Sequence, residues 1–198
     1  MEARILAAHR LQWSRVQLIT QSKQALSTTQ VDDIQRLFER RLHGEPIAYL
    51  IGQREFYGLS FEVTPAVLIP RPETELLVEL ALERMTSNAR VLDMGTGSGA
   101  IGLSVAAEVE RAEVWISDAS TDALVVARSN LAGIGRAATR VRAVEGSWFE
   151  ALPEELIGTI DLIVSNPPYV AIGDEVEDVV REWEPMSALF AGDDGLDD

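Results

Sequence analysis

The sequence predicts an α/β chain: a doubly wound parallel sheet behind a small N-terminal helical domain, the two joined by a linker that carries a β-hairpin. Three observations predict it. Apolar residues recur at helical spacing through the first 44 residues, short apolar runs alternate with helical stretches from residue 89 onward, and a glycine-rich turn separates the first such run from its helix. Strands and helices alternate in this way when right-handed β-α-β crossovers build a parallel sheet.

Before Thr28 lies an apolar-periodic stretch (Ile5, Leu6, Leu11, Val16, Leu18, Ile19) with no cap in front of it. Thr29 is the expected cap of the next helix, with Asp32 as its third residue and Val31, Ile34, Leu37, Phe38 and Leu42 on one face. Gly44 and then Pro46 stop that helix. Near alternation in Glu55-Phe56-Tyr57 and Ser60-Phe61-Glu62-Val63, on either side of Gly58, reads as a hairpin. Pro65, Pro70 and Pro72 punctuate the rest of the linker. Pro72 suits a first helical turn, Glu73 and Glu75 its positive end, and Leu76, Leu77, Leu80 and Ala81 its buried face. Strands are then expected at Arg90 to Met94, Glu113 to Asp118, Arg140 to Val144 and Ile160 to Ser165. Helices are expected at Ala100 to about Val109 and at Asp122 to Leu131. The expected boundaries are a helical domain at 1–45, a linker at 46–72 and the α/β domain at 73–198.

Composition narrows the function classes. No apolar run approaches the roughly 18 to 20 residues of a membrane span, and Met1 to Arg10 lacks the apolar core of an export signal. Cysteine is absent, which excludes disulfides and thiolate chemistry, and two histidines are poor material for a metal site. These cues give the expectation of a cytoplasmic protein with no membrane and no metal partner. Of the net charge of −15, the stretch from Asp174 to Asp198 carries −9, with ten acids and one base. That end is expected to be solvated acidic surface or a flexible end rather than a recognition arm. Gripping nucleic acid requires a basic footprint, and Arg40-Arg41 and Arg136 to Arg142 are too sparse to form one, so no direct nucleic-acid partner is expected.

Two motifs carry chemistry. In Asp93-Met94-Gly95-Thr96-Gly97-Ser98-Gly99-Ala100-Ile101-Gly102, glycines let the backbone turn tightly and approach a ligand ahead of a helix N-terminus. Gly97, Gly99 and Gly102 satisfy the dinucleotide pattern G-x-G-x-x-G, whereas Gly95, Gly97 and Gly99 satisfy the G-x-G-x-G loop of methyltransferases. Asp118, ending the second strand, fits a ribose in either case. Alone, the loop indicates an adenosine-containing cofactor. Asn166-Pro167-Pro168-Tyr169, directly after the fourth strand, separates the two readings. An amide or aromatic amine has a delocalised nitrogen lone pair, so a site that methylates it must hold the group planar and accept hydrogen bonds from its N–H groups. Asn166 offers a side-chain oxygen and Pro167 a backbone carbonyl, the prolines stiffen the loop, and Tyr169 offers a flat face. Trp148, shortly after the third strand, stands where either an adenine contact or a core aromatic could lie, and an aromatic near a strand end is more often core.

With these residues in place the chain resembles the HemK/PrmC family of release-factor glutamine methyltransferases. The resemblance runs through Gly44-Glu45-Pro46-Ile47-Ala48-Tyr49-Leu50, Gly52 to Phe56, Leu68-Ile69-Pro70-Arg71-Pro72-Glu73-Thr74-Glu75, the glycine loop and Asn166 to Tyr169. It implies a class I S-adenosylmethionine methyltransferase fold and an N-terminal domain that helps bind a peptide chain release factor. It also implies methyl transfer from S-adenosyl-L-methionine to the glutamine N5 of a Gly-Gly-Gln motif. Carried over by position, it assigns Gly95, Thr96, Gly97, Ser98, Gly99, Asp118, Trp148 and Asn166 to the cofactor and Asn166, Pro167, Pro168 and Tyr169 to the glutamine. Asn166, Pro167 and Tyr169 are the candidate catalytic residues. Ser147 stands where members often carry an acid, which is expected to weaken cofactor contacts. Members usually begin with more helix and continue further, so a truncated product with an open fourth strand is expected. The alternatives are a truncated, non-catalytic remnant that binds the release factor, and an adenine-N6 nucleic-acid methyltransferase.

Overall fold

The computed structural model describes residues 1–197; the last residue of the expected α/β domain, Asp198, lies outside the described residues. The chain divides into two units, Met1–Gly52 and Gln53–Asp198. The first contains α1 (Glu2–Leu11), α2 (Arg15–Thr20), α3 (Thr28–Leu42) and α4 (Ile47–Ile51). The apolar stretch before Thr28 is two helices rather than one. Gln12 turns left-handed at φ 54° and ends α1, and Ser14 restarts the chain by capping α2. The expected cap at Thr29 is corrected to Ser27, with Thr28 and Thr29 already helical. The reason lies three residues on. Gln30 has the reach to accept the Ser27 N–H (2.9 Å) while its own N–H donates to Ser27 Oγ (3.2 Å), a reciprocal pair that Asp32 is too short to make with Thr29. Ser14 and Gln17 repeat the pattern. Along α3 the expected apolar face is only partly covered: Ile34 is buried, Leu37 and Phe38 are half-buried, and Val31 and Leu42 are exposed. Arg41 pairs with Glu2, and Arg10 with Asp33, fastening α1 to α3.

The second unit opens with the antiparallel hairpin β1 (Gln53–Phe56) and β2 (Leu59–Glu62). Tyr57 and Gly58 both adopt positive φ (49° and 72°), the geometry that matches the twist of a two-residue hairpin. Phe56 and Phe61 project to the same side and meet edge-on, with centroids 6.1 Å apart. Pro72 begins a 3-10 turn that leads into α5 (Glu75–Arg84). The buried face of α5 is centred on Val78 and Ala81, with Leu76 exposed, so the face is rotated from the one expected. Leu77, Leu82 and Met85 pack beside Val78 and Ala81 on the core.

Four strands form the main sheet: β3 (Arg90–Met94), β4 (Glu113–Asp118), β5 (Val141–Glu145) and β6 (Leu162–Ser165), in the order β5-β4-β3-β6 with every pairing parallel. The helices between them are α6 (Ala100–Glu108), α7 (Thr121–Gly133) and, after β6, α8 (Asp178–Trp183). Arg140 closes a 3-10 turn instead of opening β5; its guanidinium donates to the carbonyls of Ala106 in α6 and of Val109 and Ala112 in the turn between α6 and β4. Seven of the nine residues of α6 are buried, as an all-round apolar helix requires. Among the described residues β6 pairs only with β3, and no helix is long and apolar enough to cross a membrane. The acidic end is not simply a solvated tail. Val170 bridges to Phe190, the Ile172 N–H donates to the Gly192 carbonyl, and Leu189 and Ala191 are buried.

The turn out of β3 is organised by one carboxylate. Asp93 is fully buried; its Oδ2 accepts Thr96 Oγ1 (2.6 Å) and the Gly102 N–H (2.8 Å), while Oδ1 has no partner among the described residues. Burial pushes its pKa up to about 6 against the pull of those two hydrogen bonds, and the charge of Asp118 adds to the rise. A folded pKa above the ordinary 3.8 means that this group's contribution to stability is full below about 3.8 and is lost as pH rises through about 6. Asp93→Asn is therefore expected to remove a fall in stability of about 3 kcal/mol between about pH 4 and pH 7, read from urea midpoints across that range. Gly102 lies where a Cβ would come 2.6 Å from Ile116 and 3.0 Å from Asp93. Gly102→Ala is expected to cost about 1–3 kcal/mol by overpacking, seen as a lowered Tm.

Candidate active site

The sheet order reverses at β3: β4 and β5 extend to one side and β6 lies on the other. Loops leaving neighbouring strands in opposite directions open a crevice at their carboxyl ends, where such sheets bind ligands. A cavity of about 210 Å³ lies there. Gly95, Thr96, Gly97 and Ser98 line it from the end of β3, Asp118 from the end of β4, Ser147 and Trp148 after β5, and Asn166, Pro167 and Pro168 after β6. Gly99 and Tyr169 are not among its lining residues: Gly99 caps α6 at φ 85°, and Tyr169 is 72% exposed.

Two backbone groups of the glycine loop are held by the end of β4. The Thr96 N–H donates to the Ser117 carbonyl (2.9 Å), and the Gly97 N–H to Asp118 Oδ2 (2.8 Å). Asp118 Oδ1 accepts the Ser120 N–H (2.9 Å), so each oxygen keeps one further lone-pair direction. Gly95, Gly97 and Gly99 all take positive φ, whereas Gly102 is helical and is glycine for packing against β4. The three positions whose backbone demands glycine are thus those of the G-x-G-x-G pattern. A Cβ on Gly95 or Gly97 would meet nothing within 4 Å, so glycine at these two lining positions answers to the backbone turn and not to packing.

Trp148 has φ 46°, left-handed backbone that a bulky aromatic rarely adopts, and it is 39% exposed. Ser165 Oγ donates to the Met94 carbonyl (2.8 Å), clipping the end of β6 to that of β3. Asn166 comes next, half-buried, and among the described residues its side-chain amide has no hydrogen-bond partner.

Sequence reasoning assigned no role to the far wall. Arg71 and Thr74, on the segment that enters α5, line the cavity, as do Ser187 and Ala188. Glu184 fixes this wall. Its carboxylate, 2% exposed, accepts Arg71 Nη2 (2.6 Å) and the Ile69 N–H (3.0 Å) across more than a hundred residues. No periodicity marks Glu184; the one available signal was a carboxylate next to Pro185 in a segment read as acidic surface. Arg71 and Asp118 are the ionisable side chains in the lining. Among the described residues no group of three His, Cys, Asp or Glu is placed to hold a metal.

Comparison with known proteins agrees with this architecture. Residues 72–184 match the methyltransferase small domain and residues 1–52 the PrmC N-terminal domain. The release factor glutamine methyltransferase of Neisseria gonorrhoeae is 47% identical over 99% of this chain and 71% of its own length. That of Burkholderia pseudomallei is 48% identical over 99% of this chain and 70% of its own. Among solved structures, the hMettl16 catalytic domain in complex with MAT2A 3'UTR hairpin 6 superposes with a TM-score of 0.53 at 16% identity. It covers 69% of this chain and 52% of that one, a likeness of fold. On identity across almost its whole length, the chain belongs to the release factor glutamine methyltransferase family.

Proposed function

We propose that this chain transfers a methyl group from S-adenosyl-L-methionine to the side-chain amide nitrogen (N5) of the glutamine in the Gly-Gly-Gln motif of a peptide chain release factor, in the cytoplasm. The observation that carries the reading is the position of the Asn166 amide, without a hydrogen-bond partner among the described residues, on the wall of the same cavity as the glycine loop and Asp118. The cavity suits the cofactor: a floor without side chains at Gly95 and Gly97, and a carboxylate with spare acceptor directions at the end of β4. S-adenosyl-L-methionine supplies a methyl group already activated on a sulfonium. In this reading Asp118 would accept the ribose hydroxyls, and the loop from Gly95 to Gly99, Trp148 and Asn166 would hold the rest of the cofactor. Asn166 Oδ1 and the Pro167 carbonyl accept the two N–H groups of the glutamine amide and hold its plane. Pro168 stiffens the turn, and Tyr169 closes on the amide face from outside. Bound there, the cofactor would give up its methyl to the nitrogen lone pair, the C–S electron pair going to sulfur and one N–H proton to water. Orientation and electrostatics supply the acceleration. Residues 1–45 contribute release-factor recognition, 46–72 serve as the linker, and the domain from 73 onward carries the chemistry.

The test is transfer of labelled methyl with a release factor and a DNA duplex offered side by side, followed by peptide mass analysis. Label on the Gly-Gly-Gln glutamine is expected. Label on the duplex would replace this reading with a nucleic-acid amine methyltransferase, and release-factor binding with no transfer would replace it with a binding remnant. Asn166→Ala is expected to lower kcat by about a hundredfold with the fold retained, as loss of an orienting group does; unchanged turnover would overturn its role. Asp118→Ala is expected to weaken cofactor binding by about 1.5–3 kcal/mol, measured by calorimetry.

A further inference from the structure

Thr96, Gly97 and Ser98, which line the cavity floor, are each held by a different element: Thr96 Oγ1 by Asp93 of β3, the Gly97 N–H by Asp118 of β4, and the Ser98 carbonyl by Asn130 of α7. The first two holders belong to the recognised motifs. The third does not. Asn130 is 8% exposed, lies outside the cavity lining, and uses its whole amide. Oδ1 accepts the Glu62 N–H (2.6 Å), and Nδ2 donates to the Glu62 carbonyl (3.0 Å) and to the Ser98 carbonyl (2.9 Å). The side chain thus pairs with the edge of β2 as a neighbouring strand residue would, and spends its remaining donor on the glycine loop.

The Ser98–Gly99 peptide needs such a hold. It runs into Gly99, at positive φ, one residue after Gly97, also at positive φ, and glycine has little preference of its own for one backbone state. The plane is fixed at two points, by the Gly99 N–H donating to the Thr96 carbonyl (2.8 Å) and by the Ser98 carbonyl accepting from Asn130. Removing the second lets the plane swing, which moves the floor and the first turn of α6. We propose that Asn130 is a positioning residue for the cofactor site, setting the glycine loop from behind and tying it to the β1–β2 hairpin. The proposal rests on reading the cavity as the S-adenosyl-L-methionine site.

The variants are Asn130→Asp, which keeps the shape but removes both donors, and Asn130→Ser, which avoids burying a charge if the first fails to fold. Affinity for S-adenosylhomocysteine is measured by calorimetry well below each variant's own Tm, and amide exchange is followed by mass spectrometry. A rise in Kd of about tenfold is expected, the loss of about one hydrogen bond's positioning, with KM for the cofactor rising more than kcat falls. Faster exchange is expected in the peptide spanning Gly95 to Gly102, with β4 and β5 at wild-type protection. Affinity within about twofold of wild type in a folded variant would overturn the proposal, as would exchange that quickens evenly across the sheet, the mark of a merely structural residue. If the wild-type chain itself does not bind S-adenosylhomocysteine, the cofactor reading falls and this inference with it; wild-type binding with an indifferent variant removes Asn130 alone.

Discussion

Between Met94 and Ala100 the backbone has to leave a buried strand, turn through three left-handed glycines and enter a helix that is buried almost all round. Most of its polar groups in that passage have no regular ladder to join, and an unpaired buried group costs about 1–3 kcal/mol. The fully buried Asp93 carboxylate meets this constraint by receiving the Thr96 hydroxyl and the Gly102 N–H on one oxygen. Desolvation of the carboxylate, visible in its raised pKa, is the cost of using a charge there. The close fit of Gly102 to Asp93 and Ile116 results, since α6 is drawn down until a methyl group would clash. The loop then has to be specified residue by residue from β4 and α7, which is why acceptors and donors on three separate elements converge on it.

Reversal of strand order at β3 decides what faces that loop. Because β6 pairs with the side of β3 opposite β4, the Asn166 turn emerges across the crevice from Asp118 and not beside it. Ser165 ties the two strand ends together, and the proline pair after Asn166 limits how far the turn can drift. The remaining wall comes from distant segments, 66–74 and 187–188, joined by the buried Glu184 carboxylate. A site of this kind is a property of the assembled sheet. Its parts are separated by about a hundred residues and have no local reason to meet.

Much of this is legible in the sequence because it rests on short-range rules. Strand β3, β4 and the start of α6 fall at their expected residues, since an apolar run bounded by glycine or by charge has few other ways to fold. The hairpin is readable from alternation around Gly58. Helix caps are less legible: Thr29 is an adequate cap until the reach of Gln30 is set against that of Asp32, and the break at Gln12 has no composition signal. The face of α5 differs from expectation because four leucines allow more than one apolar stripe, and tertiary contact selected Val78 and Ala81. At the site, Gly95 to Ser98, Asp118, Trp148 and Asn166 to Pro168 share the cavity, while Gly99 and Tyr169 stand off its lining. Glu184 and Asn130 are illegible for one reason: a buried polar side chain is recognised by its partners, and theirs lie 115 and 68 residues away.

The chemistry proposed for the cavity is consistent with what lines it. An amide nitrogen is a weak nucleophile, so a catalyst has two routes: remove a proton first with a strong base, or align the neutral nitrogen with an electrophile activated enough to accept its lone pair. The first route requires a poised titratable group within hydrogen-bond reach. The ionisable lining groups here are a carboxylate at the end of β4 that receives two backbone N–H groups and a guanidinium anchored by Glu184; neither lies on the Asn166 turn. What that turn offers is acceptors in a stiff frame, a side-chain amide oxygen and a proline carbonyl, suited to hold N–H donors in a plane and unsuited to deprotonate them. Alignment is therefore the route this site supports. It also explains why so many residues remote from the reacting atoms are spent on fixing the glycine loop: when acceleration comes from placement, an error of about 1 Å in either reactant is worth about a hundredfold in rate.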